Sequence, residues 1–469
     1  MSRTKIVATI GPSSDTPEII RSMIRAGMSV ARINFSHGNH EAHAKTVHTL
    51  RRIAAEESKI LAILGDLQGP KIRIGNVRTG GIPLKLNDEM LFTPHRGQPA
   101  MVHLPHPELF QSVTIGARLV IGDGEVEFKV IEKQKDVLRC LVTVAGKLES
   151  HKGINAPHTD MGISSITAKD RKDLALACAL EFDFVALSFV RHEDDIEELR
   201  NLMRAAGNVV PIIAKIEKNE AIIRLEQILH ASDGIMVARG DLGIEAGPER
   251  VPSLQKRIIK LCNRAGKPVI TATQMLQSMV QHPQPTRAEA SDVANAILDG
   301  TDALMLSGES AAGKYPVESI AMMEKIACII EEDFPYARWR IQRQKQHKDN
   351  QVTNAISGAV CGVAEEVDAA SIVCSSMSGY TAAQISRYRP ETPILAVTPL
   401  AKTQRRMALI WGVDCLLIPQ LNDTNDLVTA VITAVHTQNI SSGERIVITA
   451  GVPFGKSGQT NLIQVHQLK

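Results

Sequence analysis

The sequence is poor in aromatic residues, nearly neutral, and without a long apolar segment. Aromatic side chains make up 3% of its 469 residues, so no platform for stacking nucleic-acid bases is expected. The 53 basic and 51 acidic residues leave a net charge of +2, which gives no electrostatic attraction to nucleic acid or a membrane surface. No apolar run approaches the roughly 18 residues of a membrane-spanning helix. We therefore expect neither nucleic acid nor a membrane as a partner.

The cysteines are also few, and their number and spacing are informative. The seven cysteines are odd in number, scattered, and never spaced Cys-x-x-Cys. This pattern favours reduced thiols and argues against disulfides or a zinc site. The chain also runs from Met1 straight into the strand-like segment 5–10, which leaves no room for a secretory signal peptide. A cytoplasmic location is therefore expected.

Short apolar or β-branched runs alternate with helical patterns along most of the chain. The runs cover residues 5–10, 29–35, 60–66, 184–189, 211–217, 234–239, 268–273 and 303–307. Apolar residues three or four apart predict helices between most of them. This alternation predicts a (β/α)8 TIM barrel, whose chemistry is expected at the carboxyl ends of the strands.

Two segments depart from the alternation. Residues 71–163 contain short alternating runs and Gly-Asp turns, which predict an inserted all-β domain able to act as a lid. After a basic connector at 337–351, interpreted as a solvated helix or linker, four further strands alternate with helices and predict a C-terminal α/β domain. The predicted boundaries are 1–70 and 164–338 for the barrel, 71–163 for the lid, and 339–469 for the C-terminal domain.

Polar residues follow several predicted strands at the point where each apolar run ends. Because side chains two residues apart share one face of a strand, such residues are expected to converge. The groups are Arg32 with Asn34 and Ser36, Lys215 with Glu217, Arg239 with Asp241, Thr271 with Thr273, and Ser307 with Glu309. Their repetition on one barrel indicates a shared site.

The residue types at these strand ends favour phosphoryl transfer over redox, acyl or glycosidic chemistry. Glu217 and Asp241 come from adjacent predicted strands and suit Mg²⁺, which takes one or two carboxylates. Lys215 fits a charge clamp on a migrating phosphoryl group. Gly240, close to a predicted helix start, would let backbone N–H groups approach an anion. The alternative for these charged residues is that they form ordinary salt bridges with one another.

A series of segments, in order along essentially the whole chain, resembles the pyruvate kinase family. They are TKIVATIGPSS, ARINFSHG, GDLQGPKIRIG, HKGIN, AKIE, MVARGDLGIE, TATQMLQSM, residues 285–316, and SGYTA. The resemblance implies a barrel with a β domain after the third strand and a C-terminal α/β domain, assembled as a homotetramer. It also implies transfer of phosphate from phosphoenolpyruvate to ADP, giving pyruvate and ATP in the last step of glycolysis.

The resemblance assigns expected roles on the phosphoenolpyruvate side of the site. Glu217 and Asp241 resemble ligands of Mg²⁺ or Mn²⁺, Lys215 resembles the residue that stabilises the phosphoryl group, and Arg32 resembles the phosphate-binding arginine. The amides of Gly240 and Asp241 with the Thr273 hydroxyl are implied to bind the substrate carboxylate. Thr273 and Ser307 are implied to assist protonation of the enolate. On the nucleotide side the matching residues are Asn34, His37, Arg73 and Lys152.

One departure from the family pattern concerns potassium. Potassium-requiring members usually carry a Thr-Lys pair and a glutamate where this chain has Leu67-Gln68 and Lys71. Asn34, Ser36 and Asp66 still resemble the remaining ligands of the monovalent-cation site. Because the lysine ammonium could supply the missing positive charge, K⁺ is expected not to be required. The alternative is that Lys71 is simply solvated at a domain hinge.

The C-terminal domain carries a run of hydroxyls before a predicted helix. Ser375, Ser376, Ser378 and Thr381 resemble the family's allosteric loop for a phosphorylated effector, and residues 451–461 resemble the loop that closes over it. AMP or a sugar monophosphate is favoured, a sugar bisphosphate stays open, and an ordinary helix cap is the alternative. Rival functions are a Mg²⁺-dependent aldolase or phosphoenolpyruvate mutase, and an inactive phosphate sensor.

Overall fold

The computed structural model describes residues 1–98, 100–122, 124–346, 351–421, 423–438, 440–453 and 459–469. The first part of the chain forms strands and helices in alternation: β1 (Lys5–Ile10), α1 (Pro17–Arg25), β2 (Met28–Asn34), α2 (His40–Glu56) and β3 (Ala62–Asp66). An insertion follows, made of β4 (Ile82–Leu84), β5 (Glu89–Thr93), β6 (Met101–His103), α3 (Pro107–Ser112), β7 (Arg118–Ile121), β8 (Val126–Gln134), β9 (Val137–Val144), β10 (Gly146–Leu148) and β11 (Ile154–Asn155).

The alternation then resumes and continues to the end of the chain. Its next elements are α4 (Ala168–Ala179), β12 (Phe184–Leu187), α5 (Glu193–Ala205), β13 (Ile212–Ile216), α6 (Asn219–Ile223), α7 (Leu225–Ala231), β14 (Gly234–Ala238), α8 (Arg239–Ala246), α9 (Val251–Ala265), β15 (Val269–Ala272), α10 (Arg287–Asp299), β16 (Ala303–Leu306), α11 (Gly308–Ala311) and α12 (Pro316–Glu332). The last are α13 (Tyr336–Gln346), α14 (Val352–Glu366), β17 (Ser371–Ser375), α15 (Tyr380–Ser386), β18 (Ile394–Thr398), α16 (Ala401–Met407), β19 (Val413–Leu417), α17 (Thr424–His436), β20 (Arg445–Ala450) and β21 (Leu462–Gln467).

The predicted barrel is confirmed. Parallel strands close in the order β1-β16-β15-β14-β13-β12-β3-β2, and each observed strand overlaps a predicted run. Helices begin where the sequence supplies caps: Thr286 and Glu289, for example, form a reciprocal capping box at the start of α10. The inward side chains of the strands, such as Val30, Leu64 and Ile213, form one buried apolar cluster. That packed interior is the floor of the barrel mouth.

The insertion between β3 and β12 has its own core. Its strands form a six-stranded sheet ordered β11-β7-β8-β9-β5-β6 and a two-stranded sheet of β10 and β4. Phe92 and Phe128 pack edge to face inside it, with ring centroids 5.1 Å apart. The prediction of an all-β insertion missed the short helix α3, whose six residues begin at a proline after His106.

The C-terminal α/β domain is confirmed, and two details of its prediction are wrong. Its sheet has five strands in the order β19-β18-β17-β20-β21, and β21, which pairs antiparallel with β20, was not predicted. The connector helix α13 is not simply solvated. Arg343 on it is buried, lies 4.9 Å from the centre of the Trp339 ring and donates a 3.0 Å hydrogen bond to Asn263 Oδ1. Over the described residues, every helix is too short or too polar to cross a membrane.

Candidate active site

The inward faces of the strands change from apolar to polar at the carboxyl end of the barrel. Val30 is followed two residues later by Arg32, Leu64 by Asp66, Ala186 by Ser188 and Ile213 by Lys215. Because side chains alternate along a strand, each of these polar groups lies above an apolar residue on the same face. The side chains therefore meet in one layer that closes the apolar interior.

Asp66 is the centre of this layer. Its Oδ2 accepts from Arg32 Nε at 2.8 Å, and its Oδ1 lies 3.2 Å from Lys215 Nζ. Burial alone would raise the pKa of Asp66, but Lys215 and Arg32 outweigh it and hold the pKa below its ordinary value. Arg32 also donates to the Thr9 hydroxyl at 2.9 Å. One buried carboxylate thus holds two cations side by side.

The ammonium group of Lys215 is surrounded by side-chain oxygen atoms. Its ammonium lies 2.9 Å from Glu217 Oε1 and 2.7 Å from Ser188 Oγ, in addition to Asp66. Burial alone would lower the pKa of Lys215, but Asp66 and Glu217 outweigh it and raise the pKa above its ordinary value. The lysine therefore stays protonated at neutral pH and acts as a fixed positive charge.

Glu217 and Asp241 are the two carboxylates expected to hold a metal. Glu217 follows β13, is buried, and accepts the Phe189 N–H at 2.8 Å through Oε2. Burial raises the pKa of Glu217, and nearby Asp241 adds to the shift although Lys215 opposes it. Because the charge of Asp241 disfavours ionisation of Glu217, a cation bound by both would be stabilising, and the pair would suit Mg²⁺, which takes one or two carboxylates. In the part of the chain that is described, no cluster of three or more His, Cys, Asp or Glu side chains forms a metal site.

Gly240 and Asp241 lie in the first turn of α8, which begins at Arg239 immediately after β14. The expectation that Arg239 and Asp241 share a strand face is therefore wrong, because the helix rotates them apart. Arg239 turns away to Asp292, at 2.7 Å, and to the Thr273 carbonyl oxygen, at 2.7 Å from Nη2. The start of this helix is half-buried, and its N–H groups suit an anion.

Thr273 lies directly beside that helix start. It has a positive φ of 70°, which is strained for a β-branched residue, and the Arg239 contact supports this backbone. Its hydroxyl accepts the Gly240 N–H at 2.9 Å. The expected partnership of Thr271 with Thr273 is wrong, because Thr271 is buried and bonds to Thr301 at 2.9 Å.

Ser307 follows β16 at the same end of the barrel, and Glu309 does not accompany it into the site. The helix α11 begins at Gly308, so the carboxylate of Glu309 turns back and accepts the N–H groups of Ser307, at 2.8 Å, and Leu276, at 3.1 Å. The pairing expected from strand alternation is wrong here too. Glu309 fixes the backbone on which Ser307 is presented.

The nucleotide-side residues are divided between the barrel and the insertion. Asn34 ends β2 and accepts the Ser36 N–H at 3.1 Å, and His37 is exposed on the following turn. Arg73 forms an isolated bridge with Gly153 and donates to the His151 carbonyl at 3.0 Å. Lys152 lies 2.7 Å from Glu125 within the insertion. Arg73 and Lys152 are therefore close together, on the insertion side of the cleft.

Lys71 is exposed, with its side chain beside Gly153. Within the ranges that the structure describes, no hydrogen bond or ion pair joins Lys71 to Asn34, Ser36 or Asp66. Asp66, the charged member of the expected cation site, is instead in contact with Arg32 and Lys215. Its positive neighbours in this structure are those two side chains.

The hydroxyl loop of the C-terminal domain is partly internal. Ser376 Oγ accepts the Gly379 N–H at 2.9 Å, and Thr381 Oγ1 lies 3.0 Å from Thr460 Oγ1. Ser375 ends β17, and Ser378 is exposed on the turn before α15. Of the loop expected to close over an effector, residues 454–458 lie outside the described residues.

Two members of the buried layer were missed from the sequence, Ser188 and Thr9. Ser188 is 2% exposed and lies between Lys215 and the Leu67 carbonyl. The rule that identified the other residues applies to it as well, since it follows β12 on the inward face. Because the next two residues, Phe189 and Val190, are apolar, the end of the strand could not be recognised from the sequence.

Comparison with known proteins gives a consistent result. Residues 1–320 match the family model described as pyruvate kinase, barrel domain, and residues 354–466 match pyruvate kinase, alpha/beta domain. The chain is 44% identical over 470 residues to a pyruvate kinase of Geobacillus stearothermophilus, covering 99% of this chain and 80% of that protein. It is 46% identical to pyruvate kinase 2 of Synechocystis, covering 100% and 79%. A crystal structure of a pyruvate kinase from Cryptosporidium parvum superposes with a TM-score of 0.94 at 35% identity, over 100% of this chain and 96% of the other.

Proposed function

The chain belongs to the pyruvate kinase family, and we propose that the buried layer around Asp66 and Lys215 is where it transfers the phosphoryl group. As a member of the family it is a phosphotransferase that converts phosphoenolpyruvate and ADP to pyruvate and ATP with a divalent metal, in the final step of glycolysis. The observation that carries the proposal is the pair of cations, Arg32 and Lys215, held by one buried carboxylate.

Lys215 and Arg32 are proposed to bind the phosphoryl group from the barrel side. Both are fixed before substrate arrives, so no rearrangement of solvent is needed when charge moves between leaving and attacking oxygens. The low exposure of Lys215, 12% of its side chain, strengthens its attraction for phosphate oxygens because little water screens it. Arg32 adds a planar donor suited to phosphate.

Glu217 and Asp241 are proposed to hold Mg²⁺ or Mn²⁺. When bound, such an ion neutralises negative charge on phosphate and carboxylate oxygens of the substrate. Glu217 is kept in place by the Phe189 N–H, and Asp241 by its position in the first turn of α8. The protein therefore supplies two oriented carboxylates and leaves the remaining coordination positions to water and substrate.

The start of α8 is proposed to bind the carboxylate of phosphoenolpyruvate. The amides of Gly240 and Asp241 are in its first turn, and the Thr273 hydroxyl already contacts Gly240 N–H. A carboxylate can replace that internal contact with its own oxygens, since both the amide and the hydroxyl can donate. Thr273 and Ser307 are then placed to help deliver a proton to the enolate left after phosphoryl transfer.

Asn34, His37, Arg73 and Lys152 are proposed to bind the phosphates of ADP and ATP. Arg73 and Lys152 belong to the insertion, so their approach to the barrel residues depends on its position. Closure of the insertion over the barrel mouth would join the two sets and exclude water from the transferring group.

We further propose that K⁺ is not required. Asp66, which resembles a ligand for that ion, already has Arg32 and Lys215 as cationic neighbours. Lys71 stands where potassium-requiring relatives carry a glutamate, and adds positive charge near the entrance. The cation site therefore has two cations at Asp66, and the position of the glutamate is taken by a lysine.

The C-terminal domain is proposed to bind a phosphorylated effector, AMP or a sugar monophosphate, at Ser375, Ser376, Ser378 and Thr381. Hydroxyls and amides gathered before a helix suit phosphate. Activity measured at low phosphoenolpyruvate with each candidate effector tests this, and no response to any of them would contradict it. A homotetramer, as the family resemblance implies, is tested by the molar mass in solution.

The proposed site is tested by a lactate dehydrogenase-coupled assay of Lys215→Met. One unit charge at about 4 Å is worth roughly 4 kcal/mol at an effective dielectric near 20, or about three decades in rate. We expect turnover to fall by about that factor while phosphoenolpyruvate binding changes little. Lys218→Met is the matched control, because Lys218 follows the same strand but pairs with Glu245 at 3.1 Å. Equal activity of the two variants would remove Lys215 from its role. An aldolase, a mutase or an inactive sensor would give no ADP-dependent formation of pyruvate from phosphoenolpyruvate, which is what this assay detects.

A further inference from the structure

We propose that Ser188 is the positioning residue of Lys215: its hydroxyl holds the lysine ammonium in the direction needed for phosphoryl transfer. The proposal rests on the role proposed above for Lys215, and it concerns a residue that was not among the site residues expected from the sequence. Ser188 directly follows β12, on the inward face two residues after Ala186. At 2% exposure its hydroxyl has no access to bulk water.

The hydrogen bonds of Ser188 fix which way its lone pairs point. Its hydroxyl donates to the Leu67 carbonyl oxygen at 2.7 Å, and Lys215 Nζ donates to the same hydroxyl at 2.7 Å. A hydroxyl has one proton and two acceptor positions. The other acceptor near this hydroxyl, Asp66 Oδ1, is farther away at 3.5 Å, so the proton is directed at Leu67 and a lone pair at the ammonium. It is therefore an oriented partner for the lysine.

Among the residues that the structure describes, the Lys215 ammonium has three side-chain partners, and Ser188 is the uncharged one. The other two are the carboxylates of Asp66, at 3.2 Å, and Glu217, at 2.9 Å. An ammonium has three N–H donors, so a phosphate oxygen must displace one partner. A carboxylate repels the arriving phosphate, whereas a hydroxyl does not. Ser188 can therefore keep its hydrogen bond to the ammonium while the contact between Lys215 and one of the two carboxylates lengthens.

The backbone around Ser188 is held on both sides. Leu67 N–H donates to Ala186 O at 3.0 Å, which ties the end of β3 to the end of β12. The next residue, Phe189, has a positive φ of 55° and donates its N–H to Glu217. Ser165 Oγ donates to the Phe189 carbonyl oxygen at 2.9 Å. The turn therefore places the partner of Lys215 and a donor to Glu217 in consecutive residues.

Replacing Ser188 with alanine tests the proposal by a split between kcat and KM. A hydrogen bond to a charged group is worth about 1.5–3 kcal/mol, so kcat is expected to fall about 10- to 100-fold. The KM for phosphoenolpyruvate is expected to change less than about threefold, because Arg32 remains to bind phosphate. Ser319→Ala is the matched control: it removes a buried serine hydroxyl that also donates to a backbone carbonyl oxygen, that of Tyr315 at 2.7 Å, but in α12.

A second readout separates positioning of Lys215 from general damage to the site. Exchange of the C3 protons of pyruvate with D₂O, followed by proton NMR, passes through the enolate without making or breaking a P–O bond. Ser188→Ala is expected to keep this exchange near the native rate while phosphoryl transfer slows. Ser188→Cys retains an atom at the γ position but offers a poor acceptor. It is expected to show the same pattern, and it serves as the test if the alanine variant does not fold.

Three results would overturn the inference. They are a kcat loss in Ser188→Ala no larger than in Ser319→Ala, an equal loss in proton exchange and phosphoryl transfer, or an effect confined to KM. Failure of the underlying role is distinguishable from these, because it would leave Lys215→Met active. An inactive Lys215→Met together with a fully active Ser188→Ala would defeat this inference alone.

Discussion

The barrel and the insertion present their charged residues in opposite ways. On the barrel, Arg32, Asp66 and Lys215 are interlocked, and the Lys215 side chain is 12% exposed. On the insertion, the Lys152 side chain is 33% exposed and its partner Glu125 is 52% exposed. Exposed ion pairs contribute little and exchange partners easily, whereas buried ones fix geometry.

The difference indicates that the barrel and the insertion have different roles. The residues proposed to bind the transferring phosphoryl group are pre-organised and desolvated, which is what electrostatic stabilisation of a transition state requires. Two of the residues proposed to bind nucleotide, Arg73 and Lys152, belong to the insertion and have partners within it, the His151 carbonyl oxygen and Glu125. Binding of the nucleotide can then be coupled to closure of the insertion without disturbing the barrel cluster.

Of the changes that test this comparison between barrel and insertion, Glu217→Gln is expected to have the largest effect. The substitution keeps the shape of the side chain but removes one of the two negative charges proposed for the metal. The Mg²⁺ concentration for half-maximal activity is expected to rise about 10- to 100-fold. The coupled assay, run as a Mg²⁺ titration, measures it.

The matched control for that titration is Glu220→Gln, in α6 three residues further along the chain. Glu220 lines the crevice between Lys71 and Arg191, away from the Asp66 layer. An unchanged Mg²⁺ requirement in Glu217→Gln, or an equal rise in both variants, would contradict the assignment of Glu217.

The smallest effect is expected when K⁺ is left out of the assay. This experiment tests the proposal made for Lys71, at the junction of barrel and insertion. Activity in tetramethylammonium buffer with Mg²⁺ is expected to match activity in K⁺ buffer within about twofold. The physical reason is that Arg32 and Lys215 already provide the positive neighbours of Asp66. A many-fold loss restored by K⁺ would show that a monovalent cation is still needed there.

Strand alternation was sufficient to predict the barrel, because buried parallel strands produce short apolar runs between helical patterns. It also placed Lys215 and Glu217 correctly on one face, since both lie at the end of β13 before any turn begins. It was wrong wherever a helix begins immediately after the strand: α8 separates Arg239 from Asp241, and α11 separates Ser307 from Glu309.

Other features depend on contacts between distant parts of the chain and leave no local signal. The hydrogen bonds of the Ser188 hydroxyl to Leu67 and Lys215 are one example, although strand alternation could have placed Ser188 on the inward face. The bridging position of Asp66 requires β2, β3 and β13 to be brought together by barrel closure. The edge strand β21 is short and half polar, so its pattern did not distinguish it from a loop.

The most direct test of the division between the two halves is a calorimetric titration of phosphoenolpyruvate into Lys152→Ala with Mg²⁺ and no nucleotide. The account predicts a dissociation constant within about twofold of the native chain, while the KM for ADP in the coupled assay rises about 10-fold. Lys147→Ala, in β10 of the insertion with a 54% exposed side chain, should change neither value. A loss of phosphoenolpyruvate affinity as large as the loss for ADP would contradict it, because the barrel cluster would then not be a complete phosphate site by itself.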